Sequence, residues 1–236
     1  MMTPFQRQRE RQRAEQQAAE LRARPAGDVM HESQHIRLLA LEQDLKRLHD
    51  IELIADKKAF KRDTLLPRWL PHVRDYLDRG RVYQNPVFVY CVIWLFDTGQ
   101  FELALQWADI AVAQGQKTPE RFRSGLPTFV AHFILEWAEG EAERGNGYEP
   151  YFSQVFDRIR HTWQVNERLT ARYYRFAGLQ LLRNGGDRPQ ASAVSDPEVL
   201  MQADELLASA EALHPRIQVK THRQRIAMRL RALLAA

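Results

Sequence analysis

The chain has 236 residues, 44% apolar and 27% charged, with a formal net charge of +4. That length predicts one or two domains with enough apolar residues for a packed core. The longest uncharged apolar run, Val87 to Phe96, is about half of what a bilayer requires, the Gln/Arg/Glu-rich start reads as no leader peptide, and a lone Cys91 excludes an internal disulfide or a CxxC-type metal site.

The charge is unevenly spread. Residues 1–24 carry +3 and residues 215–236 carry +6, which leaves −5 for the stretch between them. An acidic body with two basic ends points to an anionic partner or to Arg-rich ends that are simply solvated. Residues 1–30 read as a basic, flexible arm, because Arg7, Arg9, Arg11 and Arg13 are set among Gln, Glu and Ala without an apolar stripe. Pro25-Ala26-Gly27 breaks the chain. From Ser33 to Arg62 the pattern is helical, and residues 31–64 read as one long amphipathic helix, a candidate for DNA binding or oligomerisation. Leu38, Leu41, Leu45 and Leu48 form its short heptad seam, packing either within or between subunits. Lys57, Lys58, Lys61 and Arg62 make the densest basic patch. They suit phosphates, or equally a solvated helix end whose cations complement the dipole.

Residues 65–187 read as a central helical domain. Leu65-Leu66-Pro67-Arg68-Trp69-Leu70-Pro71 looks like a helix start, since proline is tolerated in a first turn. Val87–Phe96, then Asp97-Thr98-Gly99, then a helix with Phe101, Leu105, Ala108 and Val112 on one face predict an antiparallel helix hairpin. Further helices are predicted over Thr128–Glu139, Pro150–Trp163 and Glu167–Arg183. Asn184-Gly185-Gly186-Asp187 ends the domain, and Arg188 to Pro197 reads as a polar insertion. Residues 188–236 read as a C-terminal helix pair with a basic end, over Glu198–Leu213 and Pro215–Leu234. No period-two strand appears, so the fold class is all-α. The small/large patterns of Ala104, Ala108 and Ala111 and of Ala203, Leu207 and Ala210 predict hairpins with partly tetratricopeptide-like packing.

Chemistry-bearing motifs are few. His31-Glu32-Ser33-Gln34-His35 matches H-E-x-x-H, which on a helix aligns two imidazoles for zinc with Glu as base. It lies beside a Pro/Gly break in a chain without a sheet, and the reading preferred is an ordinary helix start. Gly115-Gln116-Lys117-Thr118 lacks the upstream glycine of a phosphate loop, and Gln116 separates Gly from Lys. No carboxylate cluster or Ser/His/Asp set can be argued from spacing, so no catalytic or metal-ligating residue is assigned. Trp94, Trp107, Phe129, Phe133, Trp137, Trp163, Tyr173 and Phe176 fall at helical spacings in apolar stripes and read as core.

The run Leu65-Leu66-Pro67-Arg68-Trp69-Leu70-Pro71, then Trp94-Leu95-Phe96-Asp97-Thr98-Gly99 and Ala104-Leu105, resembles the small terminase subunit of certain temperate tailed bacteriophages, the gpM group, also labelled the terminase endonuclease subunit. The likeness spans roughly residues 30 to 185. It implies a part in phage DNA packaging: binding the packaging site on double-stranded DNA, assembling as a homo-oligomeric ring, and recruiting a large subunit that holds the ATPase and nuclease. The setting implied is the host cytoplasm, with no membrane. Arg7, Arg9, Arg11, Arg13, Lys57, Lys58, Lys61 and Arg62 are then expected to contact DNA phosphates. The helix after Pro215, with Arg223, Arg225 and Arg229, is expected to meet DNA or the large subunit. No cofactor is called for, and Mg²⁺ would enter only if nuclease activity were intrinsic. The alternatives are a catalytic endonuclease subunit and a tetratricopeptide-like protein-interaction scaffold.

Overall fold

The computed structural model describes the backbone of residues 26–183 and 188–235, and side chains from residue 34 onward. Among the described residues all regular structure is helical, as the absence of period-two patterning predicts. The chain divides into two compact units, one ending at Arg68 and one beginning at Trp69.

In the first unit, α1 spans Ala26–Asp50 and α2 spans Ile54–Phe60, followed by a π-helical turn over Lys61–Leu65. The helix expected to run unbroken from Ser33 to Arg62 is thus interrupted at Ile51–Leu53, where Leu53 is extended (φ −76°, ψ 133°). Neither Gly nor Pro marks the break. Asp50 is a poor helix former at the negative end of the α1 dipole, while Glu52 and Asp56 find the positive end of α2. Leu41 and Leu48 of the predicted seam are buried, and Leu38 and Leu45 are half-buried. Asp44, 1% exposed, is held by Arg68 at 2.9 Å and by Arg47 at 3.6 Å.

The two prolines do not open a helix. They sit in a continuous helical run, because the π turn passes directly into α3, Leu66–Asp78, with Pro71 inside it. Pro67 has no N–H for the carbonyl four residues back, and its ring crowds that carbonyl. The ladder loosens accordingly: Leu66 N–H donates to Lys61 O, five residues back.

In the second unit, α4 (Pro86–Asp97) and α5 (Phe101–Ala113) form the predicted hairpin. Asn85 caps α4 by accepting from Phe88 N–H, Pro86 takes the first position, and Gly99 turns the chain at φ +80°. Every residue from Val87 to Phe96 is buried, which is what a helix apolar on all sides requires. Leu126–Glu143 (α6), Tyr151–His161 (α7) and Glu167–Leu181 (α8) close around it. Phe96, Phe101, Phe129, Phe133 and Trp137 meet at centroid distances of 4.8–6.2 Å. Phe152 stacks on Tyr173, whose hydroxyl donates to Ala131 O at 2.8 Å. Of the aromatics expected in the core, Trp94, Trp107, Trp163, Tyr173 and Phe176 are buried, and Phe129, Phe133 and Trp137 are half-buried.

Pro197–Leu213 (α9) packs along α8, and Lys220–Leu234 (α10) packs along α9. One expectation is refined here and one corrected. The polar insertion over residues 188–197 is largely exposed, but its short 3₁₀ turn, Ala191–Ala193, pins it by burying Ala191 and Val194 against Leu182, Leu200 and Leu207. The last helix starts at Lys220, not Pro215, because Gln218 takes φ +63° in the turn before it.

Candidate nucleic-acid interface

The predicted basic residues fall into three groups. Arg7, Arg9, Arg11 and Arg13 lie outside the described residues. Lys57 and Lys58 lie on α2, and Lys61 and Arg62 follow on the π turn, so all four fall within about two turns of one helical run. Lys58 and Arg62 are exposed, whereas Lys57 and Lys61 are half-buried. The helix continues past them, so there is no helix end for their charges to complement, and that explanation of the cluster is removed. Arg62 is committed locally: its Nε donates to Asp63 Oδ1 at 2.7 Å and its Nη2 to Oδ2 at 2.9 Å. Those bonds hold the Asp63 carboxyl below its ordinary range.

The third group is on α10, and its members have different jobs. Arg223 Nε donates to Asp204 at 2.9 Å and Nη1 to Glu211 at 2.7 Å, tying α10 to α9. Arg229 Nε donates to Val194 O at 3.0 Å, tying α10 to the 3₁₀ turn. Arg225 is exposed and takes part in no ion pair among the described residues. It lines an open groove of about 570 Å³ with Gln190, Ala191, Ser192, Met228 and Arg229.

Two further residues are not singled out by the sequence patterns. Arg175 on α8 has its Nε enclosed without a hydrogen-bond partner. His222 is held below its ordinary value first by burial, then by the charges of Arg225 and Arg175. His222 lies one helical turn before Arg225 on α10, whereas Arg175 belongs to α8, so the spacing within α10 does not point to it.

The other motifs have structural roles where they are described. Gln116 is buried and donates to Tyr83 O at 2.7 Å and Tyr76 Oη at 2.9 Å, while accepting from Asn85 N–H at 2.8 Å. It is the hub of a polar knot, not part of a phosphate loop. Burial pushes the Cys91 thiol far above its ordinary value, so it is not a nucleophile. The side chains of His31 and Glu32 lie outside the described residues, and His35 is exposed. Among the described residues no group of three His, Cys, Asp or Glu side chains is placed to hold a metal. No helix among them is long and apolar enough to cross a membrane.

A family model described as phage small terminase subunit matches residues 38–168, more than half of the chain. The chain belongs to the phage small terminase subunit family. Its part is therefore in phage DNA packaging. This small terminase chain is also similar to a protein of Haemophilus phage HP1 named "Probable terminase, endonuclease subunit", at 37% identity over 98% of the chain and 83% of that protein. It is 28% identical to the "Terminase, endonuclease subunit" of Escherichia phage P2, over 76% of the chain and 69% of that protein. No solved structure matches. The family match includes the Lys57–Arg62 patch of the small terminase chain and stops short of Arg175 and α10, which the HP1 similarity reaches.

Proposed function

We propose that the chain binds the packaging site on double-stranded phage DNA and recruits and regulates a large ATPase–nuclease subunit for concatemer cleavage, acting as a homo-oligomer, in the form of a ring. The observation that carries the DNA-binding part is the cationic run Lys57, Lys58 and Lys61, placed on one helical stretch inside the span that matches the family. Lysines in such a run neutralise backbone phosphates and release condensed counterions, which favours binding without reading bases. The arm with Arg7, Arg9, Arg11 and Arg13 adds charge of the same sign. The test is a gel shift with packaging-site DNA at about 50 and about 200 mM salt, comparing the wild type with Lys57→Glu/Lys58→Glu/Lys61→Glu. The variant should bind more weakly, with a salt slope shallower by about 0.9 for each phosphate it no longer neutralises. Equal affinity and slope would overturn the assignment of these lysines.

A second reading is favoured by the names of both relatives, which call each an endonuclease subunit. Under it the chain itself cuts DNA. Mg²⁺-dependent nicking by the purified chain, abolished by substitution of one acidic residue, would establish that reading over a purely DNA-binding adaptor.

A further inference from the structure

We infer that the loop over residues 117–124 is a second DNA-contacting surface, on which Lys117, Arg121 and Arg123 take backbone phosphates. It rests on the DNA-binding reading above and adds to it a surface on the second unit.

Local charge runs against its setting here. The long stretch between the two basic ends is acidic on balance, yet residues 115–125 hold three cations against one acid, Glu120. The exposed positions among them are Gly115, Lys117, Glu120, Arg121, Arg123 and Gly125, with no apolar side chain. No carboxylate among the described residues pairs with Lys117, Arg121 or Arg123.

Composition alone would describe a solvated loop, but this one is tied down at both ends and at its tip. The Thr118 hydroxyl donates to Ser124 O at 2.9 Å and closes the loop. Inside it, Phe122 N–H donates to Pro119 O at 2.8 Å. At its start, Lys117 N–H donates to Gln84 Oε1 at 3.0 Å, while Gln84 Nε2 donates to Gly115 O at 2.9 Å. The buried Gln116 holds Tyr83 O and Asn85 N–H, so the knot around it fastens the loop to the segment that leads into α4. Gln116 positions the cations and contacts no phosphate itself. At the tip, the Arg121 guanidinium lies over the ring of Tyr90 on α4, 5.1 Å from its centroid, and over the ring of Phe122 at 5.2 Å. Stacking uses the faces of a guanidinium and leaves the N–H donors along its edge for an anion. Cations held in place beforehand lose less freedom on binding than long side chains on a solvated helix face.

Phosphate on a nucleic acid suits this loop better than carboxylate on a protein. Protein interfaces depend on aromatic or aliphatic anchors in well-packed pockets. The aromatic rings here, Tyr90 and Phe122, are already covered by Arg121. Gly115 and Gly125 put no side chain in the way of a stiff polyanion. Contacts of this kind fix where the duplex lies and carry no sequence information.

The test uses the full chain carrying Lys117→Gln/Arg123→Gln. Both side chains are exposed, and the bonds that close the loop and the Arg121 stack stay in place. Circular dichroism checks the fold. Fluorescence anisotropy is measured on a labelled packaging-site duplex and on a labelled duplex of unrelated sequence, each at two salt concentrations. Binding to both duplexes should be roughly tenfold weaker, with a salt slope shallower by about two, since each phosphate left unneutralised takes about 0.9 from the slope. Affinity and slope equal to wild type would overturn the surface. A loss confined to the packaging-site duplex would make the loop a reader of bases and overturn the phosphate assignment. Unchanged DNA binding with lost retention of the large subunit would give the loop to an acidic protein partner and overturn it equally. A wild-type chain that binds neither duplex would instead defeat the reading on which the surface rests.

Discussion

Gly178 sets how closely α8 and α9 approach. A Cβ added there would meet Leu207 Cγ at 2.9 Å and Ala203 O at 3.1 Å. In an open helix, Gly→Ala stabilises by about 1 kcal/mol. Here the backbone carbonyl cannot give way, so overpacking of about 1–3 kcal/mol outweighs the helical gain. Gly178→Ala should therefore lower the chemical-denaturation midpoint, and a raised midpoint would show that the helices part freely. At this scale the sequence is legible for packing and opaque for charge. Ala203, Leu207 and Ala210 stand out as a packing pattern, because size and spacing are written locally. Arg223 reads as a partner-binding residue because its true acceptors, Asp204 and Glu211, belong to another helix. A guanidinium announces its charge in the sequence but not whether the fold has already used it. The same blindness hides Arg175, which lies within a helix that otherwise reads as core.

At the scale of elements, punctuation decides what is legible. The hairpin of α4 and α5 is framed by Asn85-Pro86, Thr98-Gly99 and Gly115, each of which has a local mechanism, and its limits follow closely from them. The break after Asp50 carries no such mark, and the π turn before Pro67 replaces the expected helix start. The 3₁₀ turn at Ala191–Ala193 escapes pattern reading because Ala191 and Val194 are isolated apolar residues in polar company. The attachment of α10 rests on a different device. Only Ile226 of that helix is fully buried, with Leu230 and Leu233 packed in part, so the Arg223 clamp has a large share in holding it. Arg223→Ala should cost about 1 kcal/mol, since the pairs are partly exposed and two carboxylates are left facing each other. Faster amide exchange confined to Lys220–Leu234 is the expected signature. Exchange equal to wild type would mean that the apolar contacts suffice.

On the scale of the whole molecule, family membership comes from packing residues, whereas the proposed function rests on surface charge. Trp94 and the Asp97-Thr98-Gly99 turn make the resemblance visible, yet Trp94 is wholly buried and the turn only shapes the hairpin. The proposed homo-oligomer belongs here too. The first unit leaves Ile36, Leu39, Leu53 and Ile54 between 47% and 86% exposed, an unusual amount of apolar surface for a chain working alone. Native mass spectrometry should give a multiple of 27.6 kDa, and a monomer at micromolar concentration would refute the oligomer.

The enclosure of Cys91 has a practical side. It is the sole thiol of the chain, fully buried in α4, with its ionisation suppressed by that burial. A thiol-directed dye therefore meets nothing on the native protein. A cysteine placed at Lys58 would be the one reactive handle, with no need to remove the native residue. The proposed DNA-contacting run can then be given its own optical reporter in an otherwise unaltered core.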